Sequence, residues 1–184
     1  MGRELAQRYP EAAETFARAD QAVGFPLSEM CWDGPDEVLR QTENTQPAIL
    51  ATSCAALAVL TARGLAPDVA AGLSLGEYTA LIAAGAMTME EALPLVRRRG
   101  QLMQEAAGGR PTAMAAILGL PPEAIRAVCR EASAHGIVEP ANFNNPGQTV
   151  IAGDEAAVRE GVRRAKAAGA KRAVLLQVSA PFHT

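Results

Sequence analysis

The sequence predicts an α/β protein. Aromatic residues make up only 4% of the chain while alanine and glycine are abundant, which suits helices packed closely on a sheet. A short apolar run at residues 68–72 precedes a helical pattern at 76–84, and this order predicts a buried strand followed by a helix. Beyond Pro111, strand and helix patterns alternate in the order βαββαβ. These observations favour an α/β fold over a β-sandwich.

Helical patterns dominate residues 1–110. The predicted helices cover residues 1–19 with a break at Pro10, a short stretch near 36–41, and residues 46–63, 76–84 and 89–107. Proline and glycine between residues 20 and 45 predict a region rich in loops. The helix at 46–63 is apolar on every side, which predicts that it is buried.

The remainder of the chain is predicted to form a small domain. Its strands are expected at residues 113–118, 137–142, 148–152 and 172–178, with helices at 121–134 and 154–168. The turn Asn145-Pro146-Gly147 joins the second strand to the third. This order is the split βαβ arrangement of ferredoxin-like domains. We therefore expect a ferredoxin-like subdomain at 111–178 beside a larger domain carrying 1–110, to which residues 179–184 return.

Charge and composition exclude several function classes. The net charge is −3 and the isoelectric point is near 5.5, so the chain lacks the basic face that a nucleic-acid binder needs. No run of about 18 uncharged apolar residues and no secretory signal pattern occurs, so we expect a cytoplasmic protein without a membrane span. A basic cluster is interpreted as a solvated helix face; its members are Arg163, Arg164, Lys166, Lys171 and Arg172.

The cysteines do not suggest a site. Cys31, Cys54 and Cys129 are odd in number and far apart, so they match neither a disulfide framework nor the spacing of zinc ligands. We expect reduced, buried thiols and no metal centre.

Residues 72–76 form the pattern Gly-x-Ser-x-Gly around Ser74. A serine hydroxyl becomes an effective nucleophile when a base takes its proton and hydrogen-bond donors already face the developing oxyanion. A strand that turns sharply into a helix projects the serine side chain and turns the next N–H, that of Leu75, toward the oxyanion. The alternative is an ordinary strand-to-helix turn, because short glycine patterns also arise by chance. The predicted strand and helix on either side favour the nucleophile.

The base for Ser74 is sought among two histidines. His135 ends a predicted helix beside Gly136, where a capping position explains it. His183 follows the last predicted strand and is the candidate base, with an ordinary loop histidine as the alternative. No Asp or Glu is recognisable by its spacing as the third member of a catalytic triad. A backbone carbonyl is the alternative group for orienting the base.

Several segments occur in a fixed order along the chain: residues 45–48, 71–81, 99–104 and 142–148, and finally Pro181-Phe182-His183. Together they resemble the malonyl-CoA:acyl carrier protein transacylases, the acyltransferase family of fatty-acid and polyketide synthesis. The resemblance extends over nearly the whole chain and is specific. It implies an incomplete α/β-hydrolase-like large domain that carries an inserted ferredoxin-like subdomain.

The resemblance also implies roles for individual residues. Ser74 is expected to be the nucleophile and His183 its base. Arg99 is expected to hold the malonyl carboxylate, because a guanidinium binds a carboxylate through two parallel charge-assisted hydrogen bonds. Phe182 and Met103 are expected to line the acyl pocket, although a packing aromatic is the alternative for Phe182.

The implied reaction moves a malonyl group from malonyl-CoA to the phosphopantetheine thiol of acyl carrier protein through malonyl-Ser74, with no bound cofactor. Two other interpretations stay open. The first is a serine hydrolase or esterase that uses the same turn. The second is an inactive fragment that binds an acidic carrier protein through the basic cluster.

The sequence departs from the family pattern in two respects. Leu73 stands where a histidine is more usual, and we expect this to tune the site without abolishing function. Family members carry a Gly-Gln-Gly segment before the residues seen here at 1–5, and they continue well beyond the histidine. We therefore expect a chain truncated at both ends, without one oxyanion donor and without the carbonyl that orients His183.

Overall fold

The protein is described here by a computed structural model that covers residues 1–106, 108–176 and 182–184. The chain divides into two compact units, Met1–Leu102 and Met103–Thr184. Helices build the first unit, while the second combines helices with a four-stranded sheet. The predicted α/β class is confirmed.

The helices that begin in the first unit are α1 (Arg3–Arg8), α2 (Pro10–Val23), α3 (Leu27–Asp33), α4 (Asp36–Leu39), α5 (Thr42–Thr61), α6 (Gly76–Ala83) and α7 (Met89–Ala106). The predicted break at Pro10 is confirmed, because this proline occupies the first turn of α2, where its missing N–H costs nothing. The helix predicted from residue 46 begins at Thr42 instead. Ala107, the predicted end of α7, lies outside the described residues.

The prediction of a loop-rich region at residues 20–45 is wrong, although the short helix predicted near 36–41 is confirmed as α4. Helix α2 continues to Val23, and α3 and α4 fill much of the remainder. Gly24 and Gly34 end two of these helices with φ of 78° and 77°, while Pro26 and Pro35 precede the helices that follow. Glycine just after a helix and proline at its start are the usual terminators. In this region they separate short helices and do not mark one long loop.

The core of the first unit lies between α2, α3, α5 and α7. Its largest buried side chains are Phe16, Leu27, Leu50, Leu93 and Val96. Burial of each such side chain contributes roughly 1.5–3 kcal/mol relative to exposure. The predicted burial of α5 on every side is only partly confirmed, since Ile49 and Leu60 are 40% and 46% exposed.

The strand predicted at residues 68–72 is absent. Residues 1–102 are all described and contain no strand, and residues 68–72 are exposed, with Val69 at 86%. A strand needs a neighbour to pair its backbone N–H and C=O groups, and the first unit supplies none. Only the helical half of the predicted strand-to-helix turn is found, as α6.

The second unit contains β1 (Thr112–Leu118), α8 (Pro122–Ala132), β2 (Val138–Asn145), β3 (Gln148–Asp154), α9 (Glu155–Ala167) and β4 (Arg172–Leu175), with a 3-10 turn at Ser133–His135 after α8. The strands lie in the order β2-β3-β1-β4, and each neighbouring pair is antiparallel. The predicted order βαββαβ is confirmed. Residues 177 and 178 of the predicted last strand lie outside the described residues.

The register of the sheet separates two apolar faces. Ala115 of β1 pairs with Ile151 of β3 and with Leu175 of β4. Ala115 and Ile151 share a buried cluster with Ile125 of α8 and Val158 of α9, so both helices cover this face. The alternate residues form a separate cluster of Met114, Ala116, Val150 and Ala152.

The three cysteines are free and buried, as predicted. In the part of the chain that the structure describes, no helix combines the length and the apolar character needed to cross a bilayer.

Candidate active site

Ser74 has a left-handed backbone, with φ of 55°. This conformation is uncommon for a residue with a side chain and costs roughly 1–3 kcal/mol, so it persists where the surrounding structure enforces it. Among the described residues, the only other non-glycine with positive φ is His183, at 63°. The residues predicted to be nucleophile and base are thus the two that adopt this strained conformation.

In the turn around Ser74, the backbone of Gly72 lies very close to the backbone of Gly76 and Glu77. A Cβ atom on Gly72 would overlap the carbonyl group of Gly76 and the backbone N of Glu77. A Cβ on Gly76 would meet nothing within 4 Å. Close approach of the backbone therefore requires glycine at position 72, whereas position 76 has room for a side chain.

Three short-range backbone hydrogen bonds carry the turn into α6; they run from Gly76 N to Leu73 O at 2.9 Å, from Glu77 N to Ser74 O at 3.4 Å and from Tyr78 N to Leu75 O at 3.2 Å. Leu75 packs its side chain against the core of the first unit, while Leu73 is 67% exposed. The side chain of Leu75 therefore anchors the turn, and that of Leu73 projects outward.

The backbone N–H of Leu75 lies at the N-terminal end of α6. None of the described residues accepts a hydrogen bond from it. A free N–H at a helix N-terminus, where the helix dipole places partial positive charge, is suited to stabilise an oxyanion. The assignment of Leu75 to an oxyanion hole remains a prediction.

Arg99 of α7 joins Ser74 to α5. Its Nη2 donates a hydrogen bond to Ser74 Oγ at 2.7 Å, and its Nη1 donates to Gln46 Oε1 at 2.5 Å. The guanidinium has five N–H donors, and these contacts use two of them. The contact with Ser74 sets a carboxylate-binding group beside the serine hydroxyl.

Two contacts hold the backbone of α7 near Arg99. A Cβ on Gly100 would lie 2.7 Å from Thr42 O, so glycine at this position lets α7 pack directly on the first turn of α5. The next residue, Gln101, donates from Nε2 to Glu43 Oε2 at 3.0 Å. Gly100 and Gln101 therefore hold the backbone of α7 on the first turn of α5.

Sequence reasoning assigned no role to Gln46, although residues 45–48 belong to the resemblance. The available signal was a glutamine directly before the apolar run that begins at Pro47. Gln46 is 6% exposed, and a buried amide needs hydrogen-bond partners. The sequence cannot identify that partner, because it is Arg99, at a separation of 53 residues.

Residues 1–184 match the family described as acyl transferase domain. The chain belongs to the acyl transferase family. It is 45% identical over 185 residues to the malonyl CoA-acyl carrier protein transacylase of Bacillus subtilis (strain 168), covering 100% of this chain and 58% of that protein. It is 47% identical over 181 residues to the enzyme of the same name from Escherichia coli (strain K12), covering 98% of this chain and 59% of the relative.

A solved complex of a malonyl-transacylase with a type II polyketide synthase acyl-carrier protein is also similar. Its TM-score is 0.92 at 46% identity, covering 98% of this chain and 59% of the solved one. The family suggested by the motifs is thereby confirmed. The acyl transferase chain spans somewhat more than half the length of the relatives it matches.

The remaining predicted site residues belong to the second unit. His183 is exposed. Phe182 packs against the cluster that contains Met114, and its N–H donates to Met114 Sδ at 3.4 Å, which favours the packing alternative. Met103 lines a cavity of about 190 Å³ together with Ile137. The action of His183 as the base for Ser74 remains a prediction, as does the lining of the acyl pocket by Phe182 and Met103. Pro181 lies outside the described residues.

The charge of the basic cluster is partly neutralised within α9. Arg163 lies 2.6 Å from Glu160 and Arg164 lies 2.7 Å from the same carboxylate, while Arg164 also pairs with Glu131. The hydrogen bond from Arg163, assisted by Arg164, lowers the pKa of Glu160 to about 2. These pairs support the interpretation of the cluster as a solvated helix face. Among the described residues, no group of three or more His, Cys, Asp or Glu side chains gathers as metal ligands would.

Proposed function

We propose that the protein transfers a malonyl group from malonyl-CoA to the phosphopantetheine thiol of an acyl carrier protein through a malonyl-Ser74 intermediate. The observation that carries the proposal is the contact of 2.7 Å between Arg99 Nη2 and Ser74 Oγ, which sets a carboxylate-binding group beside a nucleophile. The names of the relatives, malonyl CoA-acyl carrier protein transacylase, support the same reaction. The solved complex of a malonyl-transacylase with a carrier protein supports the acceptor.

In the first half-reaction, His183 takes the hydroxyl proton of Ser74 as Oγ attacks the thioester carbonyl of malonyl-CoA. The N–H of Leu75 stabilises the resulting oxyanion. The carbon–sulfur bond then breaks, and the departing CoA sulfur takes the proton from His183. Malonyl-Ser74 remains on the enzyme.

In the second half-reaction, the phosphopantetheine thiol of the carrier gives its proton to His183 and attacks the ester carbonyl of malonyl-Ser74. The bond between the carbonyl carbon and Oγ breaks, and Oγ recovers its proton from His183. These steps use the side chains of the protein and the thioester and thiol of the two substrates, and they require no bound cofactor.

Arg99 supplies the preference for malonyl in this scheme. A malonyl group carries a carboxylate near the acylated oxygen, whereas an acetyl group has no charge to offer the guanidinium. Each hydrogen bond between a guanidinium and a carboxylate contributes roughly 1.5–3 kcal/mol. Two parallel bonds therefore give a large preference for malonyl, which a lysine ammonium would match less well.

We also propose a finer description of the fold: an α/β-hydrolase-like domain at 1–110, a ferredoxin-like subdomain at 111–178 and a return segment at 179–184. The antiparallel order β2-β3-β1-β4, with α8 and α9 on one face, supports the ferredoxin-like part. The left-handed Ser74 before α6 supports the hydrolase-like part.

The function is tested with the complete encoded protein, malonyl-CoA and a phosphopantetheinylated acyl carrier protein. We expect malonyl-carrier to form with the wild type and to be lost in the Ser74→Ala variant. Rapid hydrolysis of simple esters without a carrier would favour a serine hydrolase instead. Binding of the carrier without transfer would favour a non-catalytic role.

A further inference from the structure

Gln46 is a buried polar residue on the inner side of α5. Its neighbours Pro47 and Ala48 are buried as well, and the amide is 6% exposed. Its Oε1 accepts the hydrogen bond from Arg99 Nη1 at 2.5 Å. A buried amide is stable when it is hydrogen-bonded, and the contact with Arg99 satisfies the amide oxygen of Gln46.

The contact determines the orientation of the guanidinium. The group is planar and rigid, so fixing one amino group fixes the direction of the other. With Nη1 on Gln46, Nη2 lies 2.7 Å from Ser74 Oγ. Without Gln46, the long arginine side chain would regain its rotational freedom around a position held only by Ser74.

The backbone of α7 is held separately from this contact. Gly100 packs on Thr42, and Gln101 is hydrogen-bonded to Glu43. Loss of the Gln46 amide should therefore leave α7 docked on α5 while the arginine side chain loses this contact. Gln101 provides a matched control, because it links the same two helices without contacting Arg99.

The side chain of Gln46 is uncharged, and this matters for the binding of a substrate carboxylate by Arg99. A carboxylate at this position would orient the guanidinium equally well, but it would neutralise the charge and compete with the carboxylate of the substrate. An amide oxygen accepts the hydrogen bond and leaves the full positive charge for the ligand.

From this geometry we infer that Gln46 is a positioning residue, which directs Arg99 toward Ser74 and thereby sets the preference for malonyl over acetyl groups. The inference rests on the proposed function and deepens it. It assigns part of the substrate specificity to a residue that is hydrogen-bonded to Arg99.

The test compares Gln46→Met, which keeps the volume of the side chain but removes the acceptor, with Gln101→Ala in the complete encoded protein. We expect Gln46→Met to lower kcat/KM for malonyl-CoA about tenfold or more, since a hydrogen bond to a charged group is lost, and to leave acetyl-CoA unchanged. Gln101→Ala should keep the wild-type ratio of malonyl to acetyl activity. In an Arg99→Ala background, Gln46→Met should have no further effect.

A crystal structure of Gln46→Met gives a measurement independent of any substrate. We expect α7 to stay in place while Arg99 Nη2 moves away from Ser74 Oγ. The inference is overturned if that contact persists, if malonyl and acetyl activities fall equally, or if the effect survives in the Arg99→Ala background. If the wild type itself fails to prefer malonyl-CoA, the proposed function fails, and the crystallographic comparison still decides whether Gln46 positions Arg99.

Discussion

Arg99 Nη2 donates a hydrogen bond to Ser74 Oγ at 2.7 Å, so the group expected to recognise the substrate contacts the group expected to attack it. In the proposed reaction, acylation would convert Oγ from a hydroxyl into an ester oxygen, which is a poorer acceptor, and would bring a carboxylate near the same guanidinium. Arg99 would then exchange Ser74 Oγ for the carboxylate as its hydrogen-bond partner. One residue would thereby link recognition of the substrate to the reaction.

The preference for malonyl is expected to depend on Arg99. Arg99→Ala should lower kcat/KM for malonyl-CoA about a hundredfold or more, because two charge-assisted hydrogen bonds are lost, while acetyl-CoA is little affected. Arg99→Lys should recover part of the loss. Arg98→Ala, which removes a neighbouring exposed cation on α7, is the control and should behave as the wild type. Equal losses for both substrates in Arg99→Ala would contradict a role in carboxylate recognition.

The turn at Ser74 should tolerate a side chain at position 76 but not at 72. Gly72→Ala forces a Cβ into the backbone of Gly76 and Glu77, so we expect a lower unfolding midpoint and loss of Ser74 labelling by a fluorophosphonate probe. Gly76→Ala places its methyl in open space and should unfold at or above the wild-type midpoint. Similar midpoints for the two variants would show that the overlap at Gly72 is relieved without cost.

The same region shows what sequence patterns can and cannot supply. The pattern Gly-x-Ser-x-Gly located Ser74 and predicted the helix after it, since both depend on residues close in sequence. The prediction of a strand at 68–72 is wrong because an apolar run forms a strand only beside another strand, and residues 1–102 contain no strand. The hydrogen bond between Arg99 and Gln46 could not be predicted from the sequence for a related reason. Periodicity predicts that a residue is buried, but it does not identify the distant side chain that the residue contacts.

Glu160 should stabilise the fold in a pH-dependent way. Arg163, with Arg164, lowers its pKa from the ordinary value of 4.5 to about 2. A carboxylate with a lowered pKa contributes stability that is fully present above the pKa of the unfolded chain and is lost as the pH falls through the folded value. We therefore expect wild type to exceed Glu160→Gln in stability at neutral pH, and the difference to vanish between about pH 4.5 and 2.

Urea unfolding of both proteins across this pH range checks the difference, and carboxyl NMR reports the pKa of Glu160 directly. In an Arg163→Ala variant the pKa of Glu160 should rise toward its ordinary value, because the largest cause of the shift is removed. A stability difference that stays constant down to pH 2 would contradict the assignment.

The buried thiols are expected to be inert in the folded protein. Burial, with a smaller contribution from Glu90 for Cys54 and from Glu139 for Cys129, raises the pKa of both thiols to about 11. Because the thiolate is the reactive form, iodoacetamide at neutral pH should leave both unmodified. Mass spectrometry after treatment in the native state and in denaturant provides the comparison, with alkylation of all three cysteines expected only in denaturant. Rapid native alkylation of Cys54 or Cys129 would contradict their burial.

The second unit was predicted more completely than the first. Its alternating apolar positions and the Asn145-Pro146-Gly147 turn are local signals, and β3 lies next to β2 both in sequence and in the sheet. Errors there are limited to the ends of elements, such as the 3-10 turn at Ser133–His135 in place of the end of a helix. The roles of His183, Phe182 and Met103 could not be derived in the same way, because they depend on partners that local patterns do not reveal.

Transient acylation of Ser74 is measured by mass spectrometry of the complete encoded protein after brief incubation with malonyl-CoA. We predict one added malonyl group, located on the peptide that contains Ser74, absent from Ser74→Ala and discharged when phosphopantetheinylated carrier protein is added. A wild-type protein that gains no mass, or an adduct that persists in Ser74→Ala, would contradict the account.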